Sequence, residues 1–195
     1  MRRFSAILLS LLLLLLIFPT RIYGSIYEYT ITSFDSQISI NQDTSLSVTE
    51  TIIVNFESPK HGIFRNIPVT YSARGKTIRT NFELISVTDE NNVGLIYDTS
   101  RLGQSVSLKI GDPDRTITGL NTYIISYKIK KVLQRFDEHD ELYWNVTGSE
   151  WDTDIENATA VVSSPFAKII KVDYSGSLKK ILPFMAVALK SFFSA

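Results

Sequence analysis

The chain has 195 residues, with 20 basic and 20 acidic side chains and no cysteine. Hydrophobic residues make up 44% and charged residues 21%, ordinary globular proportions that argue against wholesale disorder and against a multi-span membrane protein. The lack of cysteine excludes disulfides, thiolate metal sites and cysteine nucleophiles, so an exported domain of this sequence must rest on its own apolar core.

The N-terminus has the three parts of a secretory signal peptide. Met1-Arg2-Arg3 is a basic start, Phe4 to Phe18 is a run of 15 residues without a charge, and "PTRIYG" ends in the small residue Gly24. The run falls short of the roughly 20 apolar residues that span a bilayer, so residues 1–24 are expected to be cleaved, with a retained N-terminal anchor as the alternative. They carry three arginines and no acid, which leaves 17 basic against 20 acidic residues in the remainder. That balance offers no basic footprint for nucleic acid. The remaining length of about 170 residues is enough for one domain that buries roughly 70% of its unfolded surface.

Alternation dominates the next 140 residues. From Leu46 to Phe56 the even positions are Leu46, Val48, Glu50, Ile52, Val54 and Phe56, and the odd ones are mostly Ser, Thr and Asn, which predicts a strand with one buried face. Ser36 to Ile40 supplies a partner run, and "NQDTS" between them is a turn cluster, so the pair predicts a hairpin. Further strands are expected over Ile78 to Val87, Val106 to Ile110, Tyr123 to Ile129 and Thr159 to Ser163, the last stopped by Ser164-Pro165. Short strands about ten residues apart, with no helical period between them, favour an all-β, antiparallel β-sandwich over a parallel α/β fold. Residues 25–172 are assigned to it.

Residues 173–195 differ. Leu178, Ile181, Leu182, Met185, Leu189, Phe192 and Phe193 fall within roughly 120° at 100° per residue, an amphipathic stripe that predicts a short helical tail starting near Leu182, where Pro183 is tolerated in the first turn. Such a helix would lie on a membrane surface, with Lys179, Lys180 and Lys190 off its apolar side, or pack on the sandwich.

Chemistry-bearing residues are sparse. "DEHDE", Asp137 to Glu141, brings His139 among carboxylates, but its spacing matches no defined metal site, and neither a metal nor a cofactor is expected. "GDPDRTITG" has Ile117 where a calcium loop needs Gly, so it predicts a tight turn in which Asp112 accepts backbone hydrogen bonds. The two histidines, His61 and His139, have no Gly-x-Ser-x-Gly elbow to serve. "DELYWNVTGSEW", Asp140 to Trp151, contains both tryptophans. Asp140, Glu141, Glu150 and Asp152 are close enough in sequence to furnish the carboxylate pair of a glycosidase, whereas strand alternation predicts a packed corner with a turn at Gly148. In "HGIFRNIP", the guanidinium fork of Arg65 can hold a carboxylate bidentately, and an acid of the Asp137 to Glu141 loop is the expected partner. Arg65, Asp140, Trp144 and Trp151 are therefore the candidate binding residues. Sequons at Asn145 and Asn157 permit glycosylation.

"GIFRNIP", "IGDPDRTITGLNTYIISYKI", "DELYWNVTGSEW" and "IENATAVVSSP", in that order, closely resemble the extracytoplasmic domain of the YciQ-like predicted membrane proteins, domain of unknown function 2207. The resemblance runs from about Ile26 to Pro165. It implies a signal peptide, an outer β-rich domain and then transmembrane helices, and it brings no catalytic residues. Only 30 residues follow Pro165 here, without a 20-residue apolar span, so the chain is expected to be a truncated form relative to that family. The expected function is an exported, normally membrane-tethered module that binds an envelope protein or glycan. A cell-envelope hydrolase using the acids near Trp144 and Trp151 is the alternative.

Overall fold

The computed structural model describes residues 28–73, 76–136, 138–166, 168–177 and 180–190. The expected signal peptide, residues 1–24, lies outside them. Strands β1 (Tyr29–Ile40) and β2 (Leu46–Lys60) form the hairpin that the alternating runs predict. In its turn the Asn41 N–H donates to the Ser45 carbonyl at 2.9 Å and the Asp43 carboxylate accepts the Ser45 N–H at 3.2 Å. Short polar side chains thus replace the ladder where the chain reverses.

The remaining strands follow as β3 (Ile63–Pro68), β4 (Thr70–Ala73), β5 (Lys76–Arg79), β6 (Asn81–Thr88), β7 (Tyr97–Leu102), β8 (Ser105–Ile110), β9 (Ile117–Lys130), β10 (Leu133–Arg135), β11 (His139–Asn145), β12 (Ala158–Ser163), β13 (Ile169–Ser177) and β14 (Lys180–Lys190). Five of them form a sheet in the order β12-β1-β2-β9-β6, and β3-β8-β7 form a second of three strands. Four form a third sheet, β10-β11-β14-β13, and β4 and β5 form a two-stranded sheet. One buried cluster takes Phe34, Ile52 and Ile125 from the first sheet, Ile63, Ile67 and Leu108 from the second, and Leu142 and Val187 from the third. The inward positions of β2 are the even ones, as its period of two requires.

The structure corrects three expectations. The segment expected to be a helical tail is strand β14 over Lys180–Lys190, hydrogen-bonded to β11 on one side and β13 on the other. An apolar run long enough for a helical stripe also suits a strand with a neighbour on each edge, and periodicity alone does not separate the two. Pro183 is accommodated beyond the last β11 partner, in the stretch where the β13 register shifts. The run Ile78 to Val87 is divided between β5 and β6 at Thr80, whose N–H and hydroxyl both bond the Val69 carbonyl. Finally, β12 lies parallel to β1 at a sheet edge, so the all-β fold is not purely antiparallel.

Close backbone approach fixes the end of the β3–β8 ladder. Gly62 and Gly111 flank the paired residues Ile63 and Ile110, both with φ of 140°. A Cβ on Gly62 would stand 1.9 Å from the Ile110 carbonyl oxygen, and one on Gly111 would stand 1.8 Å from that of His61. Neither side chain position exists without separating the strands. Gly62→Ala and Gly111→Ala are each expected to cost on the order of 3 kcal/mol or more in thermal or urea melts. Gly94→Ala, with open space around the added methyl, is expected to stay within about 0.5 kcal/mol of the parent.

Candidate functional site

Alternation in β3 sends Ile63, Arg65 and Ile67 into the core, and alternation in β2 sends Glu50 there as well. Arg65 is 1% exposed and Glu50 is fully buried. Such a charge is tolerable inside only when it is paired and hydrogen-bonded. Arg65 Nε donates to Glu50 Oε2 at 2.7 Å and Nη2 to Oε1 at 2.6 Å, a bidentate pair. Its other donors reach three carbonyls: Nη1 those of Asn66 and Thr147, both at 2.9 Å, and Nη2 that of Val146 at 3.4 Å. All five N–H groups of the guanidinium are used.

The pair gathers other elements around it. The Tyr127 hydroxyl of β9 donates to Glu50 Oε1 at 2.8 Å. The guanidinium stacks against the rings of Phe34 and Trp151, 5.3 and 5.8 Å from their centroids. Trp151 Nε1 donates to the same Thr147 carbonyl at 2.7 Å. Gly148 leaves room for the fork, since a Cβ there would lie 2.6 Å from Arg65 Nη1. Burial pulls the guanidinium down, and the Glu50 charge and hydrogen bonds outweigh it, so Arg65 stays above its ordinary value. Burial and then the Glu50 charge push the Tyr127 hydroxyl well up.

The four candidate residues therefore part company. Among the described residues Arg65 takes Glu50 as its carboxylate partner, not the acids expected in the Asp137 to Glu141 loop. It sits between two inward isoleucines, and its reach toward "DELYWNVTGSEW" ends at the carbonyls of Val146 and Thr147. Asp140 is buried in β11, Trp151 lies half-buried on Arg65 and edge-on to Phe34 at 6.3 Å, and Trp144 is 7% exposed. The acids of the hydrolase alternative meet separate partners. His139 takes Glu141 at 2.8 Å, Tyr29 donates to Asp152, and Glu150 accepts from Asn66 Nδ2 at 2.8 Å and Ser105 Oγ at 3.2 Å. Glu50, the residue that sequence reasoning missed, was visible as the one charge among the inward positions of β2, and a buried charge requires an opposite one.

A cleft of about 430 Å³ opens in front of this corner, between the ends of β3 and β8, the start of β4, and strands β10 and β11. Tyr71, Gln104, Gln134, Tyr143, Trp144 and Glu150 are in its wall. A second hollow of about 350 Å³ lies by His61, Asp112 and Tyr123. There the Asp112 carboxylate accepts the Asp114 N–H at 2.9 Å, the tight turn expected of "GDPD". Among the described residues the buried Tyr123 hydroxyl finds no partner, and burial raises its pKa.

Comparison with known proteins places these features in a family. The profile of the predicted membrane protein (DUF2207) N-terminal domain matches residues 30–181. The uncharacterized protein YciQ of Escherichia coli (strain K12) is 27% identical over 153 residues, 73% of this chain and 24% of that protein. Among solved structures, native leukotriene A4 hydrolase from Saccharomyces cerevisiae aligns with a TM-score of 0.54 at 10% identity, covering 88% of this chain and 31% of that one. At that identity the likeness concerns the fold alone. The chain thus spans about a quarter of the one relative's length and a third of the other's.

The buried tyrosines generate a pH dependence. The folded chain holds Tyr123 and Tyr127 protonated where the unfolded chain releases their protons near pH 10. Stability is complete below about pH 10 and falls as pH rises beyond it. In urea melts at neutral pH, Tyr123→Phe is expected to match or exceed the parent, because it deletes an unpartnered hydroxyl, and to lessen the alkaline loss. Tyr127→Phe is expected to cost about 1–3 kcal/mol at neutral pH, by removing a hydrogen bond to a buried carboxylate.

Proposed function

Because the chain belongs to the DUF2207 family of predicted membrane proteins, we propose that it is an exported, normally membrane-tethered module that acts by binding an envelope component, with no catalysis of its own. In this reading residues 1–24 direct export, and the described strands form a β-sandwich on the extracytoplasmic side. A buried cluster shared by three sheets supports the sandwich.

The observation that carries the binding reading is the division of labour at the corner. The cation and its carboxylate are spent inside the core, where Arg65 has no N–H left to offer a ligand. Glu150 and Asp152 are held by different partners, on Asn66 and Ser105 and on Tyr29. What faces outward is a cleft of aromatic and carboxamide side chains on rigid strands, the makings of a recognition surface. The sequon at Asn145 is followed by Val146 and Thr147, both buried, whereas Asn157 is exposed. Of the two, Asn157 is the one a folded domain offers for modification.

Expressed from its own start codon, the chain is expected to lose its leader before Ser25, to sediment with the envelope fraction, and to be cut by protease added outside intact cells. Glu150→Gln and Asp152→Asn variants are expected to sediment like the parent. Protection from external protease would overturn the proposed location, and a glycan-cleaving activity lost in either variant would overturn the non-catalytic reading.

A further inference from the structure

We infer that the cleft between β3, β8, β10 and β11 is a binding site for an uncharged saccharide, an assignment that rests on the binding-module reading and gives it a ligand class.

The lining selects by charge first. Among the described residues, no Lys, Arg or His is in the wall, and the one charged group is Glu150. Phosphates, sulfates and nucleic acids meet no cation there and face a carboxylate. Glu150 is fixed in orientation by Asn66 Nδ2 on Oε2 and Ser105 Oγ on Oε1, which leaves the remaining lone pairs of both oxygens as acceptors aimed from a defined plane.

Hydrogen-bonding capacity selects next. Gln104 and Gln134 contribute carboxamides, each both donor and acceptor in one plane, Asn145 contributes its Nδ2 while its Oδ1 accepts the Gly148 N–H at 3.0 Å, and Thr70 and Ser149 contribute hydroxyls. A sugar ring carries hydroxyls that are also donor and acceptor, so such a wall can pair with adjacent hydroxyls. Tyr71 and Tyr143 supply rings for the apolar C–H face of a pyranose, and Tyr143 is 53% exposed, with the edge of the buried Trp144 at the back of the wall.

The fold holds the wall still. Gln134 and Tyr143 lie on adjacent strands β10 and β11, whose ladder pairs Gln134 with Glu141 and Leu133 with Leu142. Tyr71 is held by its hydroxyl, which donates to the Lys131 carbonyl at 2.8 Å. A volume of about 430 Å³ is within the usual range of small-ligand sites and suits a short oligosaccharide end.

The test titrates the purified full chain with chitotriose, cellotriose and maltotriose, following tryptophan fluorescence and calorimetric heat, with tetramethylammonium and inorganic phosphate as charged probes. At least one neutral trisaccharide is expected to bind with a Kd in the millimolar range or tighter. Gln134→Ala and Tyr143→Ala, both expected to keep the parent melting temperature, should each weaken it by about fivefold or more. Binding of a charged probe in place of the sugars would overturn the assignment, as would saccharide binding that both variants leave unchanged, or no saccharide binding at all. If the chain sediments with envelope while binding none of the trisaccharides, the module reading stands and the cleft assignment falls. If it fails to sediment with envelope, the module reading itself falls.

Discussion

A carboxylate and a guanidinium with no access to water organise this domain. Removing either ion from water is expensive, and the attraction of Glu50 for Arg65 repays that cost only because every donor of the fork finds an oxygen. The pair adds little to net stability compared with apolar residues of the same size. Its contribution is specificity: a one-residue slip of β2 against β9 would turn Glu50 out to solvent and leave Arg65 uncompensated. The contact thus reinforces the register that the apolar inward positions of β2 also specify, and it fastens β3 to the central sheet.

The corner depends on that contact in turn. Segment 146–151 lies outside the strands, and carbonyls within it are held by Arg65 and by the Trp151 indole. Beyond it, the Thr153 hydroxyl donates to the Tyr29 carbonyl at 2.6 Å and Ile155 bridges to Ile31, which delivers the chain to β12 beside β1. Glu150 stands at the outer end of this arrangement, where Asn66, the neighbour of Arg65 on β3, fixes it at the cleft. A buried charge pair on one side of the corner therefore positions an exposed carboxylate on the other.

Much of the fold was legible because alternation is strong where one face of a strand is buried. The β1–β2 hairpin, β9 and β12 follow that rule, and the motifs that resemble the predicted membrane protein family lie on β3, β9, β11, the corner and β12. Strand β7 could not be read this way, since all six of its residues are exposed and carry no inward period. Strand β14 was misread because an apolar run fits a helical stripe and a doubly paired strand equally well. The partner of Arg65 was sought in an acidic loop far along the chain, although Glu50, much closer in sequence, stood among the inward apolar positions of β2. Burial, which decided the matter, is a property of the assembled sheets.

The measurement that bears most directly on the central role of the pair is a double-mutant cycle with Glu50→Met and Arg65→Met, read by urea unfolding at neutral pH. Each single substitution leaves one buried charge alone and is expected to cost about 3–5 kcal/mol. The double variant, with both charges gone, is expected to recover a large part of either loss, a coupling well above the roughly 0.5 kcal/mol of independent sites. Losses that simply add, or single variants as stable as the parent, would contradict the claim that the rest of the structure is arranged around this contact.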